Sequence, residues 1–419
     1  MFTNQEKSAY IAARRQKVLE QMAPNSILLL FSGAEQHISL DAYHHFEVNK
    51  NFFYLTGIQR DSMVLMLDNT GEELKEILYI PKADPLAERW MGKKMTVEEA
   101  KEISGISEIR FSDVFDARIE RYLTEHDLIC AYYDTFRYST ADAPDFNAIK
   151  AAEFAKNYIG IQVRNCHPMI AAMRMQKDEA EIELMQKAID ITDIGLERVL
   201  ATLKPGMMEY QVQAEFEYAI RYNGAQSPAF PTIAGSGING TMLHYGTNHC
   251  VAEDGTLVLL DLGARYEGYC ADITRTYPVN GKFTERQKAV YNVVLAANQA
   301  VKAAAKPGMT TAELNDIAKE VLAEGLIELG LIEDKKDVGK YYMHGVAHHL
   351  GIDVHDATNA AFRKLQPGAV ITNEPGLYID EECIGIRIED DLMITEDGCV
   401  CLSEHIIRTV EDIEAAMAK

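Results

Sequence analysis

The chain has 419 residues, 47% of them hydrophobic and 25% charged, with a formal net charge of −23 at pH 7. Those proportions are those of a folded globular protein, long enough for two cores. The acidic balance excludes nucleic acid and anionic membrane surfaces as main partners, because both would repel it, and there is no apolar run of about 18 residues that could span a bilayer.

The opening residues Met-Phe-Thr-Asn-Gln-Glu-Lys lack the apolar stretch of a signal peptide. Seven cysteines without a Cys-x-x-Cys pair fit reduced thiols in a cytoplasmic protein, all buried and inert. Residues Glu6–Met22 have helical spacing, and the short apolar runs Ser26–Phe31, Ser62–Leu67, Ile77–Ile80 and Leu128–Tyr133 suit strands. Thr96-Val-Glu-Glu99 is a capping-box start to a short helix. Alternating strands and helices predict an α/β domain over 1–170. Its unusual residues are His44-His45, read as an exposed pair, and the single tryptophan, Trp90, read from composition as packed.

A second domain, 171–419, opens with the helical pattern Met175–Leu203, and from there the chain repeats itself. Lys204-Pro-Gly-Met207 leads to a helix through Tyr222, and Lys306-Pro-Gly-Met309 leads to one ending near Gly330. Behind each lies a buried-strand pattern interrupted by acids. In Leu257–Asp272 an apolar run carries Asp261 where another Leu or Val would fit, and Asp272 follows eleven residues on. A buried carboxylate needs an Arg partner or a metal. Gly255 to Asp261 to Gly263 aligns with Gly368 to Glu374 to Gly376, and Glu389 follows Glu374 by fifteen. Both offsets are odd, so each pair is expected to share a face and to oppose across a hairpin. The repeat predicts two related halves, each contributing a hairpin with two carboxylates.

The second half adds His344-Gly-Val-Ala-His348. Its spacing matches the zinc motif His-Glu-x-x-His, but Gly345 stands where the Glu belongs, so that reading fails. Four carboxylates and the His348 imidazole suit divalent cations, Mn or Mg by the oxygens and Co, Fe or Zn by the nitrogen. Two cations balance four carboxylates and leave room for one bridging hydroxide, the arrangement of a hydrolytic dinuclear centre. His349, beside His348, reads as structural.

The set Asp261, Asp272, His348, Glu374 and Glu389 resembles the ligand pattern of the pita-bread metallopeptidases, family M24. The surrounding words, Leu243-His-Tyr245, Asp272-Ile-Thr-Arg-Thr-Tyr-Pro278, Asn373-Glu-Pro-Gly376 and Gly385-Ile-Arg-Ile-Glu389, resemble its proline-specific branch, aminopeptidase P most closely. Arg15-Gln-x-x-Leu-x-Gln-Met22, Asn51-Phe-Phe-Tyr-Leu-Thr-Gly57 and Arg89-Trp-Met-Gly92 are similar to that branch's N-terminal domain. The resemblance implies an α+β chain, a ribonuclease H-like N-terminal domain followed by a pita-bread catalytic domain with an internal pseudo-two-fold repeat. It implies a metallo-exopeptidase that removes the first residue from peptides with proline second, through a metal-bridging hydroxide and two divalent ions, Mn²⁺ foremost with Co²⁺, Zn²⁺ or Fe²⁺ as substitutes. A dipeptide-specific prolidase shares the ligand set, and a peptide-binding module without catalysis is the distant alternative.

Residue by residue, the resemblance implies that Asp261 binds one metal, His348 and Glu374 the other, and Asp272 and Glu389 both. Glu374 is its candidate for proton transfer, His244 and His355 contact the substrate and its oxyanion, and His344 lies beside the proline pocket. Arg387, two residues before Glu389, is expected on the same strand face and paired with it. Tyr378 and Trp90 are substrate-binding candidates at the rim, and the family's N-terminal domain supports homodimers or homotetramers.

Overall fold

Thr3 opens the first helix, Asn4–Gln21: its hydroxyl accepts the Glu6 amide at 3.3 Å while Glu6 takes the Thr3 N–H at 2.8 Å. In the computed structural model, which describes residues 2–418, the chain falls into two units, Met1–Met173 and Arg174–Lys419.

The first unit is built on a mixed six-stranded sheet. Its order is Glu108–Phe111, Lys75–Ile80, Val64–Asn69, Ser26–Phe31, Cys130–Tyr133, Gln162–Asn165. The Ser26–Phe31 strand is buried at all six positions, antiparallel to Val64–Asn69 and parallel to Cys130–Tyr133. One face packs Ile27, Leu29, Phe31, Tyr79 and Tyr133 into a core closed by Ile119 and Phe154. The expected Ser62–Leu67 strand starts at Val64 instead, because Ser62 sits at φ 60 and cannot extend it. Thr96 and Glu99 form the expected capping box. His44 and His45 are exposed. Trp90, however, is 84% exposed rather than packed: its helix, Pro85–Met91, spans two turns between the Asp84 cap and Gly92 and buries no side chain.

The second unit holds two helix pairs, Glu179–Thr202 with Glu209–Tyr222 and Glu285–Ala304 with Thr311–Glu328. The first of these helices starts later than Met175, at the Asp178 cap, whose carboxylate accepts the Glu181 amide. Each pair is followed by antiparallel strands. Leu257–Leu262 pairs with Ile273–Pro278, and one register continues through Ala264–Tyr266 and Tyr269–Cys270 to a two-residue turn at Glu267 and Gly268, both at positive φ. In the second half Val370–Asn373 pairs with Asp390–Ile394, and Gly376–Ile379 with Ile384–Arg387, again in one register.

Asp272, Glu374 and Glu389 stand where the ladders of the two hairpins are interrupted, whereas Asp261 lies inside the Leu257–Leu262 strand. Glu374 and Glu389 fall opposite one another, as expected. The first pair differs: Asp261 is opposite Thr274 and Asp272 is opposite Gly263, so these carboxylates are diagonal neighbours. An odd offset fixes the face, not the rung. The chains cross so closely there that a Cβ on Gly263 would lie 1.8 Å from the Ala271 carbonyl oxygen. Among the described residues no helix is long and apolar enough to cross a membrane. None of the seven cysteines forms a disulfide, but Cys250 and Cys383 are exposed rather than buried, since both stand at the ends of irregular turns, and Cys399 is half-buried.

Candidate metal centre

The strand ends of the two hairpins deliver Asp261, Asp272, Glu374 and Glu389 to the floor of one cavity of about 600 Å³, and the irregular segment after Tyr342 delivers His344 and His348. Ligand atoms of Asp272, His348 and Glu389 lie within 4.8 Å of one another. His348 Nε2 is 3.5 Å from Asp272 Oδ2 and 3.6 Å from Glu374 Oε1. Its other nitrogen, Nδ1, donates to the His349 carbonyl at 3.1 Å, which leaves the Nε2 lone pair facing the carboxylates. His349 itself is buried.

Hydroxyls and amides orient the acids. Thr274 donates to Glu389 Oε2 at 2.6 Å, Thr372 donates to Glu374 Oε1 at 3.3 Å, and the Asp272 amide is taken by Asp391 Oδ2 at 3.3 Å. None of Thr274, Thr372 and Asp391 was singled out from the sequence. Period two would have found the threonines, each two residues from a ligand on the same strand face.

Arg387 departs from expectation. Its Nη2 donates to Asp261 Oδ2 at 2.5 Å rather than to Glu389, whose Oε2 is taken instead by the Thr274 hydroxyl. Its Nη1 donates to the Tyr378 hydroxyl at 2.8 Å. That hydroxyl has one proton, which goes to His344 Nε2 at 2.8 Å, and His344 Nδ1–H donates to the Gly345 carbonyl at 2.7 Å. Tyr378 is therefore not a rim residue; at 2% exposure it is buried behind the site. His244 and His355 line the cavity, and the His355 ring stacks on His348 at 3.9 Å. Trp90 belongs to the first unit.

The electrostatics test whether cations belong here. Burial first, then repulsion from Asp261 and other acids, pushes the Asp272 carboxyl well above the usual range. Glu389 is driven up the same way, by burial and then Asp272, and Glu374 rises by burial despite His348. Asp261 Oδ1 is buried without a hydrogen-bond partner. Burial, and then Arg387, lowers His344 to about 4; burial, and then His348, lowers His355 to about 4, so both imidazoles are neutral near pH 7. An orphaned carboxylate oxygen among mutually repelling acids, with an imidazole lone pair aimed at them, fits divalent cations.

Fold and donor set together define a metal-dependent hydrolase whose centre is shared between two matched halves. The comparisons with known proteins carry this further: residues 183–396 match the model of metallopeptidase family M24, and residues 11–130 match the aminopeptidase P N-terminal domain. The chain belongs to metallopeptidase family M24 and is a metallo-exopeptidase. It is 34% identical to the Xaa-Pro aminopeptidase of Escherichia coli K12, over 96% of both chains. Among solved structures it resembles one from Bacillus anthracis assigned as an aminopeptidase P, at 42% identity and TM-score 0.95 over 98% of each chain. It also resembles Escherichia coli aminopeptidase P with the inhibitor Pro-Leu, at 33% identity and TM-score 0.87 over 98% of each.

Proposed function

We infer that this chain is an Xaa-Pro aminopeptidase, hydrolysing the bond between a peptide's first residue and a proline in second position. The observation that carries the reading is one cavity with two characters. Its floor is the carboxylate and imidazole set, and its wall includes Phe230, Pro231, Leu243 and Val354. A bond before proline is a tertiary amide without an N–H. Recognition then falls to the shape of the ring against an apolar wall and to the peptide's free amine near the acids.

Asp261, Asp272, His348, Glu374 and Glu389 are the residues proposed to hold two divalent cations. When bound, such a pair activates water near neutral pH and stabilises charge on the carbonyl oxygen. Glu374, with Oε1 taking the Thr372 hydroxyl, is left to carry a proton at Oε2 towards the leaving nitrogen. His355 and His244 face the cavity as donors for the oxyanion. His344 is held in one tautomer by Tyr378 and Gly345, and Arg387 holds Tyr378, so these three keep the wall beside the ligands rigid.

Four oxygen donors to one nitrogen favour Mn²⁺, with Co²⁺, Zn²⁺ and Fe²⁺ as substitutes. A cytoplasmic setting is supported by seven cysteines of which none forms a disulfide. A homodimer or homotetramer is supported by Leu40 and Trp90, 94% and 84% exposed in the first unit. We assign 1–170 to the N-terminal domain and 171–419 to the catalytic one.

The test is metal-stripped protein reconstituted with Mn²⁺, Co²⁺ or Zn²⁺ and assayed on Xaa-Pro, Xaa-Pro-Yaa, a longer Xaa-Pro peptide and a Met-Ala peptide. Release of the first residue from the second and third substrates is expected. Cleavage of the dipeptide alone would select a prolidase, and activity unaffected by stripping would overturn the metal assignment.

A further inference from the structure

His344, His348 and His355 lie close together in the sequence, but His244 reaches the cavity on a separate loop. The chain leaves strand Ile233–Ser236, turns through Gly237–Thr241 and comes back at Cys250, with His244 near the middle. Met242, His244, Gly246 and Thr247 are exposed, so apolar burial does little to fix this segment.

Near its return, buried Asn248 takes the Ala234 amide and donates to the Thr232 carbonyl and to Gln213, and one side chain outside the cavity gathers the rest. Glu209, the first residue of helix Glu209–Tyr222, is fully buried. Its Oε1 accepts from the Ser236 amide and the Ser236 hydroxyl, both at 2.8 Å, and from Asn239 Nδ2 at 2.9 Å. Its Oε2 accepts from the Tyr245 hydroxyl at 2.8 Å and the Cys250 amide at 2.9 Å. The Glu209 amide donates in turn to the Cys250 carbonyl at 2.9 Å. Both ends of the loop, and the residue next to His244, thus meet on one carboxylate.

The remaining contacts lead from that carboxylate to the site. The Tyr245 ring packs with Ile233, Leu259 and Tyr378. Gly240 abuts Gly385 so closely that a Cβ on Gly385 would lie 1.9 Å from the Gly240 carbonyl oxygen, which wedges the loop against the strand carrying Arg387. Hydrogen bonds to an ionised acceptor are about twice as strong as neutral ones, and five of them make the loop's position depend on this group.

We propose that Glu209 is the positioning residue of His244: by tying Ser236, Asn239, Tyr245 and Cys250 together it sets where the imidazole stands in the cavity, and it acts on the rate through that imidazole. The proposal rests on the reading of His244 as a substrate contact.

The test is a double-mutant cycle on the metal-loaded enzyme with an Xaa-Pro-Yaa peptide, comparing wild type, Glu209→Gln, His244→Ala and the double variant for kcat, KM and Tm. Glu209→Gln places an NH₂ donor among five donors. It is expected to lower kcat by about 10- to 100-fold, the effect of a displacement near 1 Å, with KM little changed. Glu209→Asp, which keeps the charge, should recover part of that loss. In the His244→Ala background the same change should cost no further kcat while still lowering Tm. If the two losses multiply, or if Glu209→Gln keeps wild-type kcat, the positioning role is overturned. If His244→Ala alone leaves kcat unchanged, the reading of His244 falls first. Should Glu209→Gln fail to fold, Tyr245→Phe removes a single donor and must show the same background dependence, with a smaller loss.

Discussion

Arg387 reaches from the second hairpin to Asp261 on the first, with Nη2 2.5 Å from Oδ2. The same guanidinium donates to Tyr378 and, through Nε at 3.2 Å, to the Thr274 hydroxyl that holds Glu389. One cation therefore spaces carboxylates from both halves of the site.

Arg387→Lys keeps the charge but loses the fork, and a lysine cannot serve Asp261, Tyr378 and Thr274 together. Metal affinity is expected to fall about 10- to 100-fold, the usual cost of removing a group that orients a ligand, and kcat should fall with it. Titration of the stripped protein with Mn²⁺ measures the change. An unaltered dissociation constant would show that the link between hairpins does not matter to the ligands.

Stripping the metal should destabilise the catalytic unit, since Asp272 and Glu389 then confront each other and their neighbours in a buried site. Mn²⁺ at 100 times its dissociation constant adds about 2.7 kcal/mol by mass action. Asp272→Asn separates repulsion from ligation: it should raise the Tm of the stripped protein and remove most of the gain on adding Mn²⁺. A stripped Asp272→Asn protein melting below stripped wild type would contradict the repulsion.

The ligand residues were legible because each breaks a pattern. An acid in an apolar strand is conspicuous, and a second copy at a matching offset makes coincidence a poor explanation. Parity gave the shared face of Asp261 and Asp272 but not their diagonal rung, which depends on where the two-residue turn falls. Arg387 was placed near the right carboxylates and paired with the wrong one, because alternation along one strand says nothing of an acid that the other hairpin brings within reach. Tyr378 reads as a rim residue because nothing in the sequence shows that its hydroxyl lies between buried Arg387 and half-buried His344. Glu209 left no mark at all. Its five donors come from Ser236 to Cys250, and a charged residue opening a helix reads as an ordinary first-turn acid.

Gly263→Ala tests how tightly the first hairpin closes. The added Cβ would lie 1.8 Å from the Ala271 carbonyl oxygen, between the strands that carry Asp261 and Asp272. Overpacking of this kind costs about 1–3 kcal/mol or more, and the strands can relieve it only by parting, which also spreads the ligands. Tm and Mn²⁺ affinity should fall together. Gly339→Ala, with no atom within 4 Å of its Cβ, is the control expected to change neither.

The loop bearing His355 is fixed by ion pairs, and these set an acid limit on stability. Arg174 lies 2.5 Å from Asp356 Oδ1 and 2.7 Å from Asp353 Oδ2, and Lys177 lies 3.1 Å from Asp356 Oδ2. Burial pushes the Asp356 carboxyl up, but Arg174 and Lys177 outweigh it and hold it at about 2. An unfolded Asp titrates at about 3.9, so the folded value is depressed and the unfolded chain binds the proton first. The resulting stability, on the order of 2–3 kcal/mol, is present above about pH 4 and lost as the pH falls from there through 2. Asp356→Asn should remove it at every pH. It should also leave Lys177 and part of Arg174 buried without an anion, a cost of about 3–5 kcal/mol. Denaturant melts of the stripped enzyme from pH 7 to pH 2 should then show wild type losing stability more steeply below pH 4 than the variant. Parallel acid limbs would mean that Asp356 keeps its charge partners without coupling them to folding.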